Sequence, residues 1–420
     1  MSDAAAKPKI IIFLGDGLGD RQVPALGGRT PLEALGTPHL DRLAAEGLCG
    51  MLNPVSPGRR IGSDTAHMAI LGYDPFKYYK GRGPFEAKGV GLDVLPGDVA
   101  FRCNFATVDG RKLVDRRAGR IKEGTDQLAA AVNEKAGLID DVQCIFKESV
   151  EHRAALVLRG AGLDHRVSEV DPHHEGVEYP DCVPLSEAAD DPAAQKTARI
   201  VNEWVRLAHE ALAAHPINAA RAAEGLPPAN AALPRGVGTA VELQSFAERY
   251  GLSGAMIVEV DLVRGLGQYL AMDVVDVPGA TGGKDTDEMA IAAAVVAALD
   301  DHDFVLANIK APDLGGHDGD VEQKMAAIAK VEHAIGYLLE RLDFTQTVIM
   351  VTGDHCTPVT FGDHTGDAIP AVFYGCGVRP DEVQSFGERP CMAGGLGNFT
   401  GEDIMTLLTN ITGTQEKFGA

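Results

Sequence analysis

"KIIIFLGDGLGD" spans residues 9–20, and how it is read decides the fold. Its apolar run has no polar alternation, which fits a strand covered on both faces, as in a parallel sheet. The run ends in a glycine-flanked carboxylate, Asp16. "DFVLANIKAPDLGGHDGD" (303–320) repeats the plan, with an apolar strand followed by Asp313 and His317 in a Gly-rich loop. "TVIMVTGDHCTP" (347–358) repeats it again and ends in Asp354 and His355, and "AVFYGCG" (371–377) reads as a further buried strand. Helical patterns lie between them, among them "TDEMAIAAAVVAALDD" and "VEQKMAAIAKVEHAIGYLLERL". Strands alternating with helices predict an α/β chain with a doubly wound, mostly parallel sheet. Ligands of such sheets sit beyond the carboxyl ends of the strands, where these Asp and His residues fall.

The middle of the chain reads differently. From about residue 76 to 245 the apolar segments are interrupted: "DVAFRCNFATVDG", "AALVLRGAG", "DHRVSEVDPHHEGVEYPDC". One long helix pattern, "AAQKTARIVNEWVRLAHEALAAH", precedes "PINAARAAEGLPPANAALPRG", read as a loop. The expected organisation is a discontinuous core, 1–75 and 246–420, interrupted by an inserted α+β domain at 76–245. A chain of 420 residues is long enough for both.

Composition narrows the partners. A formal net charge of −22 argues against nucleic acid or an anionic membrane. An anionic substrate then requires a local basic pocket or bound cations. The seven cysteines include no C-x-x-C pair, which suggests reduced thiols rather than a disulfide framework. The apolar run in "MSDAAAKPKIIIFLGDG" is too short for a signal peptide or a spanning helix, so a cytoplasmic protein is expected. Nothing in the sequence fixes an oligomeric state.

"IGSDTAHMAILGYDP" (61–75) places Ser63 where an N-cap would sit, before a short helix that stops at Gly72. Serine is among the commonest caps, so the stretch alone favours a cap over a nucleophile. The other strand ends shift that balance. Any one of Asp16, Asp313, His317, Asp354, His355 and His364 has an ordinary reading as a turn former or a satisfied loop residue. Together they supply hard oxygen and borderline nitrogen donors suited to Mn²⁺, Mg²⁺ or Zn²⁺. Cys356 reads as a small buried residue. Six donors are too many for one ion that must also admit substrate, whereas two ions fit the two-metal pattern of phosphoryl transfer. Metal coordination is one way to activate a serine hydroxyl.

"FLGDGLGD", "GSDTAHMAILGYDP", "KAPDLGGHDGD" and "TGDHCTPVTFGDHTGDAIP" resemble the alkaline phosphatase superfamily. Within it they resemble the archaeal-type cofactor-independent (2,3-bisphosphoglycerate-independent) phosphoglycerate mutases. The similarity extends to "FEAKGVGLDVLPGDVAFRCNF", "DRRAGRI" and "HPINAARAAEGLPPAN" in the insertion. The resemblance implies a serine that is transiently phosphorylated, two flanking metals and an inserted domain that closes over substrate. It makes Ser63 the nucleophile, with Asp16, Asp354 and His355 beside it at one metal and Asp313, His317 and His364 at the other. Manganese is the first expectation for both ions, with magnesium, zinc and cobalt as alternatives.

The implied reaction interconverts 3-phosphoglycerate and 2-phosphoglycerate without 2,3-bisphosphoglycerate. On the substrate side, "RKLVDRRAGRIK" (111–122) is strongly basic in an acidic chain. Arginine forks hold carboxylate and phosphate bidentately, which makes Arg116, Arg117, Arg120, Arg166 and Arg235 candidates. His165 and His173 are candidates for phosphate contact or acid–base work. The core motifs leave room for a phosphomonoesterase or another phosphomutase of the superfamily. From a different class, they also leave room for a metal-stabilised binding protein without catalysis.

Overall fold

Lys9–Gly15 is the inner strand of an eight-stranded sheet, pairing in parallel with Phe304–Ile309 on one side and Thr347–Thr352 on the other. The computed structural model describes residues 8–415, Lys417 and Gly419. Residues 1–7, which open the stretch read for a leader, lie outside the described residues. Beyond Phe304–Ile309 come Gly254–Ile257 and Asp273–Val274, both parallel. Beyond Thr347–Thr352, Ile369–Gly375 runs antiparallel to both its neighbours, and Leu48–Asn53 and Asn398–Thr400 complete the sheet. The α/β class and the mostly parallel sheet stand as expected, with that one reversed strand.

Apolar runs without alternation are explained by burial on both faces. Ile11, Phe13, Val305, Ala307, Ile349 and Val351 share a core with Ile291 and Val295 of the helix Glu288–Asp301 and with Ile328, Val331 and Ile335 of Val321–Arg341. Their neighbours in sequence, Ile10, Ile12, Leu306 and Met350, are equally buried.

The chain divides into two compact units. The first holds residues 1–78, 244–259 and 270–420, and the second holds 79–243 and 260–269. The sequence reading placed everything after 245 in the core. The helix Asp261–Tyr269 instead joins the second unit, where it packs on Gly83–Gly89. Gly89 and Gly265 permit this, because a Cβ on either would run into the backbone of the other helix. Two glycines far apart in sequence gave no local signal of that contact.

In the second unit, Val99–Asp109 pairs antiparallel with Arg153–Arg159, Ala231–Thr239 and Lys112–Asp115. Ala231–Thr239 begins within the stretch read as a loop, which also contains the helix Pro216–Ala223. The prolines of that stretch misled the reading: Pro216 opens the helix, and Pro234 is tolerated within the strand. Phe105, Phe146 and Trp204 form the centre of this unit's core, with ring centroids 5.5 and 5.1 Å apart in succession. Trp204→Ala should cost about 3–5 kcal/mol of stability in a denaturant titration followed by circular dichroism. A loss below about 1 kcal/mol would mean that this core is not a cooperative part of the fold.

Candidate functional site

Asp16 follows the strand Lys9–Gly15 and is fully buried. Asp313 and His317 follow Phe304–Ile309, but on a helix, Ala311–Asp318, rather than in a loop. Their spacing of four puts both on one side of that helix. Asp354 and His355 follow Thr347–Thr352, and His364 comes from the loop beyond. The structure brings these donors together. Donor atoms of Asp16, Asp354 and His355 lie within 4.8 Å of one another, as do those of Asp313, His355 and His364. A third such group is His317, Asp363 and His364.

Hydrogen bonding fixes how the imidazoles present themselves. His317 Nδ1 donates to Gly362 O at 3.0 Å and His364 Nδ1 to Ile61 O at 2.7 Å. Each Nε2 is thereby turned toward Asp313 Oδ1, at 3.4 Å in both cases. Thr357 donates its hydroxyl proton to Asp313 Oδ1 at 2.7 Å, so its oxygen accepts from His355 Nδ1 at 3.1 Å. His355 Nε2 then faces Asp16 Oδ1 at 3.5 Å, Asp354 Oδ2 at 3.4 Å and Ser63 Oγ at 3.3 Å. Carboxylates and imidazole nitrogens converge here, and among the described residues Asp354 Oδ2 is buried with no hydrogen-bond partner, a combination that suits a cation. The donor set therefore fits divalent ions.

The electrostatics agree. Burial, followed by repulsion from Asp354, pushes the Asp16 carboxyl above its ordinary pKa. Burial and the neighbouring His364 push His355 down to about 3. Burial alone would raise Asp313, but Lys310 and the three histidines hold it well below the usual carboxylate range. Lys310 escaped the sequence reading. Its Nζ lies 2.7 Å from both Asp16 Oδ1 and Asp313 Oδ2. The available signal was a lysine at the end of an apolar strand, three residues before Asp313.

Ser63 is not the helix cap. Gly62 takes that place, and Ser63 opens the helix Ser63–Ile70 without a side-chain cap bond. Its hydroxyl is turned to His355 instead. His67, one turn on and fully buried, bonds through Nδ1 to Ser63 O at 2.7 Å.

In the second unit, Arg116 and Arg235 converge on the buried Asp171, at 2.8 and 3.8 Å. His173 joins them. Its Nδ1 is 3.0 Å from Arg116 and 3.5 Å from Arg235, and its Nε2 is 2.6 Å from Glu169. Burial, then Arg116 and Arg82, push the Arg235 guanidinium down to about 10. Burial, then Arg120, Arg116 and Arg153, also lower Arg117. His152 is driven to about 2 by burial and by Arg153, Arg102, Arg117 and Arg120. Arginines crowded together in this way repel one another, which with burial is the cause of these lowered values.

Arg102, His152 and Arg153 were missed. Arg102 and Asn104 stand at alternate positions of the otherwise apolar "VAFRCNF", and that was their signal. Arg116–Arg120 is not extended, so strand alternation does not sort its arginines. Ala118, Gly119 and Arg120 all take left-handed φ (45°, 64° and 55°) in a turn whose amides bond Asp115. Arg166 is committed to Asp164 at 2.7 Å and Asp191 at 2.5 Å, carboxylates not shared with the cluster. His165 lies 3.7 Å from that same Asp164.

The family of 2,3-bisphosphoglycerate-independent phosphoglycerate mutases matches residues 44–218. The protein of that name from Methanopyrus kandleri is 49% identical over 98% of each chain. The one numbered 1 from Methanothermobacter thermautotrophicus is 47% identical over 98% of this chain and all of its own. A solved protein from Pyrococcus horikoshii superposes with a TM-score of 0.85 at 38% identity, covering 99% of this chain and all of that one. The cofactor-independent phosphoglycerate mutase from Thermoplasma acidophilum gives 0.68 at 38% identity over 96% of this chain and all of its own. With relatives this similar along nearly its whole length, the chain belongs to the 2,3-bisphosphoglycerate-independent phosphoglycerate mutase family.

Proposed function

We propose that the chain interconverts 3-phosphoglycerate and 2-phosphoglycerate, an isomerisation that needs no 2,3-bisphosphoglycerate and passes through phosphoserine at Ser63. One observation carries this reading beyond family membership. The Ser63 hydroxyl, unused by its helix, lies 3.3 Å from His355 Nε2 beside the Asp16–Asp354–His355 donor group. Asp16, Ser63, Asp354 and His355 would hold one divalent ion, and Asp313, His317 and His364 a second. Manganese is the proposed ion, with magnesium, zinc and cobalt as alternatives. Such ions supply charge for a transferring phosphoryl group and lower the pKa of a bound hydroxyl.

The chain's own part is as follows. Ser63 Oγ gives up its proton as it attacks phosphorus, the P–O bond to glycerate breaks, and the leaving oxygen takes a proton. The phosphoryl group then passes to glycerate's other hydroxyl, which loses its proton, while the Ser63 Oγ–P bond breaks and Oγ is reprotonated. Arg116, Arg117, Arg120 and Arg235 bind the substrate's anionic groups, and His173 orients Arg116 and Arg235. Arg166 and His165 are left with structural work. Seven free thiols and no organic-cofactor motif accord with a cytoplasmic enzyme.

The test is incubation of manganese-loaded protein with 3-phosphoglycerate, with 2-phosphoglycerate and free phosphate measured side by side. Free phosphate released as fast as 2-phosphoglycerate would favour a phosphomonoesterase. Arg235→Ala leaves Asp171 its bonds from Arg116, so it is the cleaner of two variants. Arg235→Ala and Arg116→Ala should each cost about 2–5 kcal/mol in mutase turnover, with phosphate release falling less. Arg166→Ala should leave the product ratio unchanged. Equal effects at all three positions would remove the cluster from substrate binding.

A further inference from the structure

Beneath the ligand-bearing turns of the first unit lies an ammonium group with no exposure to solvent. Lys324, on the helix Val321–Arg341, is 0% exposed. Its Nζ donates to Thr357 O at 2.7 Å and to Gly19 O at 3.2 Å, and lies 2.9 Å from Asp20 Oδ2. Three protons meet three acceptors. Asp20 is itself fixed: its carboxylate accepts the amides of Arg21 and Val359, and its own amide donates to Glu388 at 3.0 Å. A buried charge is costly unless fully matched, and apolar residues of similar volume often fill such a place as well or better. What the charge adds here is the particular pair of carbonyls it joins.

Gly19 closes the turn that begins at Asp16, and Thr357 closes the turn that carries Asp354 and His355. The third ligand segment packs against Lys324 directly, because a Cβ on Gly315 would sit 2.7 Å from the Lys324 Cα. Thr357 is also the hydroxyl that bonds both His355 Nδ1 and Asp313 Oδ1.

We propose that Lys324 is a positioning residue for the metal-ligand groups. By joining Gly19 O to Thr357 O it sets the spacing of the two turns, and through Thr357 it fixes the aim of His355 and Asp313. This rests on the metal reading given above and goes beyond it, since Lys324 touches neither donor group.

The experiment titrates metal-free protein with Mn²⁺ by calorimetry, comparing wild type, Lys324→Met, Asp313→Ala and the double variant Lys324→Met with Asp20→Asn. Lys324→Met should weaken Mn²⁺ binding about ten-fold or more and lower kcat at saturating Mn²⁺, with KM for 3-phosphoglycerate changed less than about two-fold. In metal-free protein, ¹⁵N signals of the His355 ring should shift from a single Nδ1–H tautomer toward a mixture. The double variant removes the unpaired Asp20 charge and should regain Tm without regaining Mn²⁺ affinity. It carries the test if the single variant does not fold. Wild-type affinity in Lys324→Met, or its recovery in the double variant, would overturn the proposal. Wild type and Asp313→Ala binding Mn²⁺ equally would instead overturn the metal reading on which it rests.

Discussion

Ser63→Ala is expected to lower turnover of 3-phosphoglycerate by about a thousand-fold or more, with the fold and Mn²⁺ binding largely kept. The asymmetry follows from where the hydroxyl points. A capping serine would contribute to helix stability, and its loss would typically cost about 1 kcal/mol. Ser63 makes no such bond. It stands one position inside the helix, where alanine is well tolerated, and Gly62 serves as the cap. Its oxygen instead lies beside His355 Nε2. Asp16, Asp354 and His355 remain in the variant and still offer three donors. Wild-type protein quenched during turnover should carry phosphate on Ser63 by mass spectrometry, and the variant should carry none there. Near-normal activity in Ser63→Ala would remove this residue from the mechanism.

Much of the core was legible because its signals are local. An apolar strand without alternation and a carboxylate just beyond it sit within a dozen residues of each other, three times over. The carboxylates and histidines of the candidate site therefore came with the strands that position them. What went unread depends on contacts between distant segments or on backbone geometry. Lys310 reads as an ordinary strand-end lysine until Asp16 and Asp313 are seen on either side of it. The glycine-rich look of "APDLGGHDGD" suggested a loop. Yet Gly315 and Gly316 are there so that a helix can lie against Lys324 and Thr357. Arg166 and Arg116 look alike in sequence, and only their carboxylate partners tell them apart. The left-handed turn at Ala118–Arg120 gives those arginines directions that sequence spacing does not announce.

Stripping divalent ions should abolish activity and lower Tm, and Mn²⁺ should restore both. The physical reason is an excess of acceptors. Asp16, Asp313, Asp354 and three imidazoles converge, and Lys310 is an ammonium that answers the carboxylates directly. Burial and the neighbouring Asp354 carboxylate push the Asp16 carboxyl upward, as expected where two carboxylates share one pocket. An ion that binds these donors in the folded chain and not in the unfolded one stabilises it by mass action. The gain is about 2.7 kcal/mol at a free concentration one hundred times Kd. Activity and Tm should therefore rise together along one titration, since the same occupancy governs both. Asp313→Ala removes a donor shared by His317, His364 and Lys310, so it should shift both curves to higher Mn²⁺. If Tm rose with Mn²⁺ equally in that variant, the stabilising ion would be bound elsewhere. Full activity in protein shown to be metal-free by elemental analysis would leave the converging donors without a catalytic purpose.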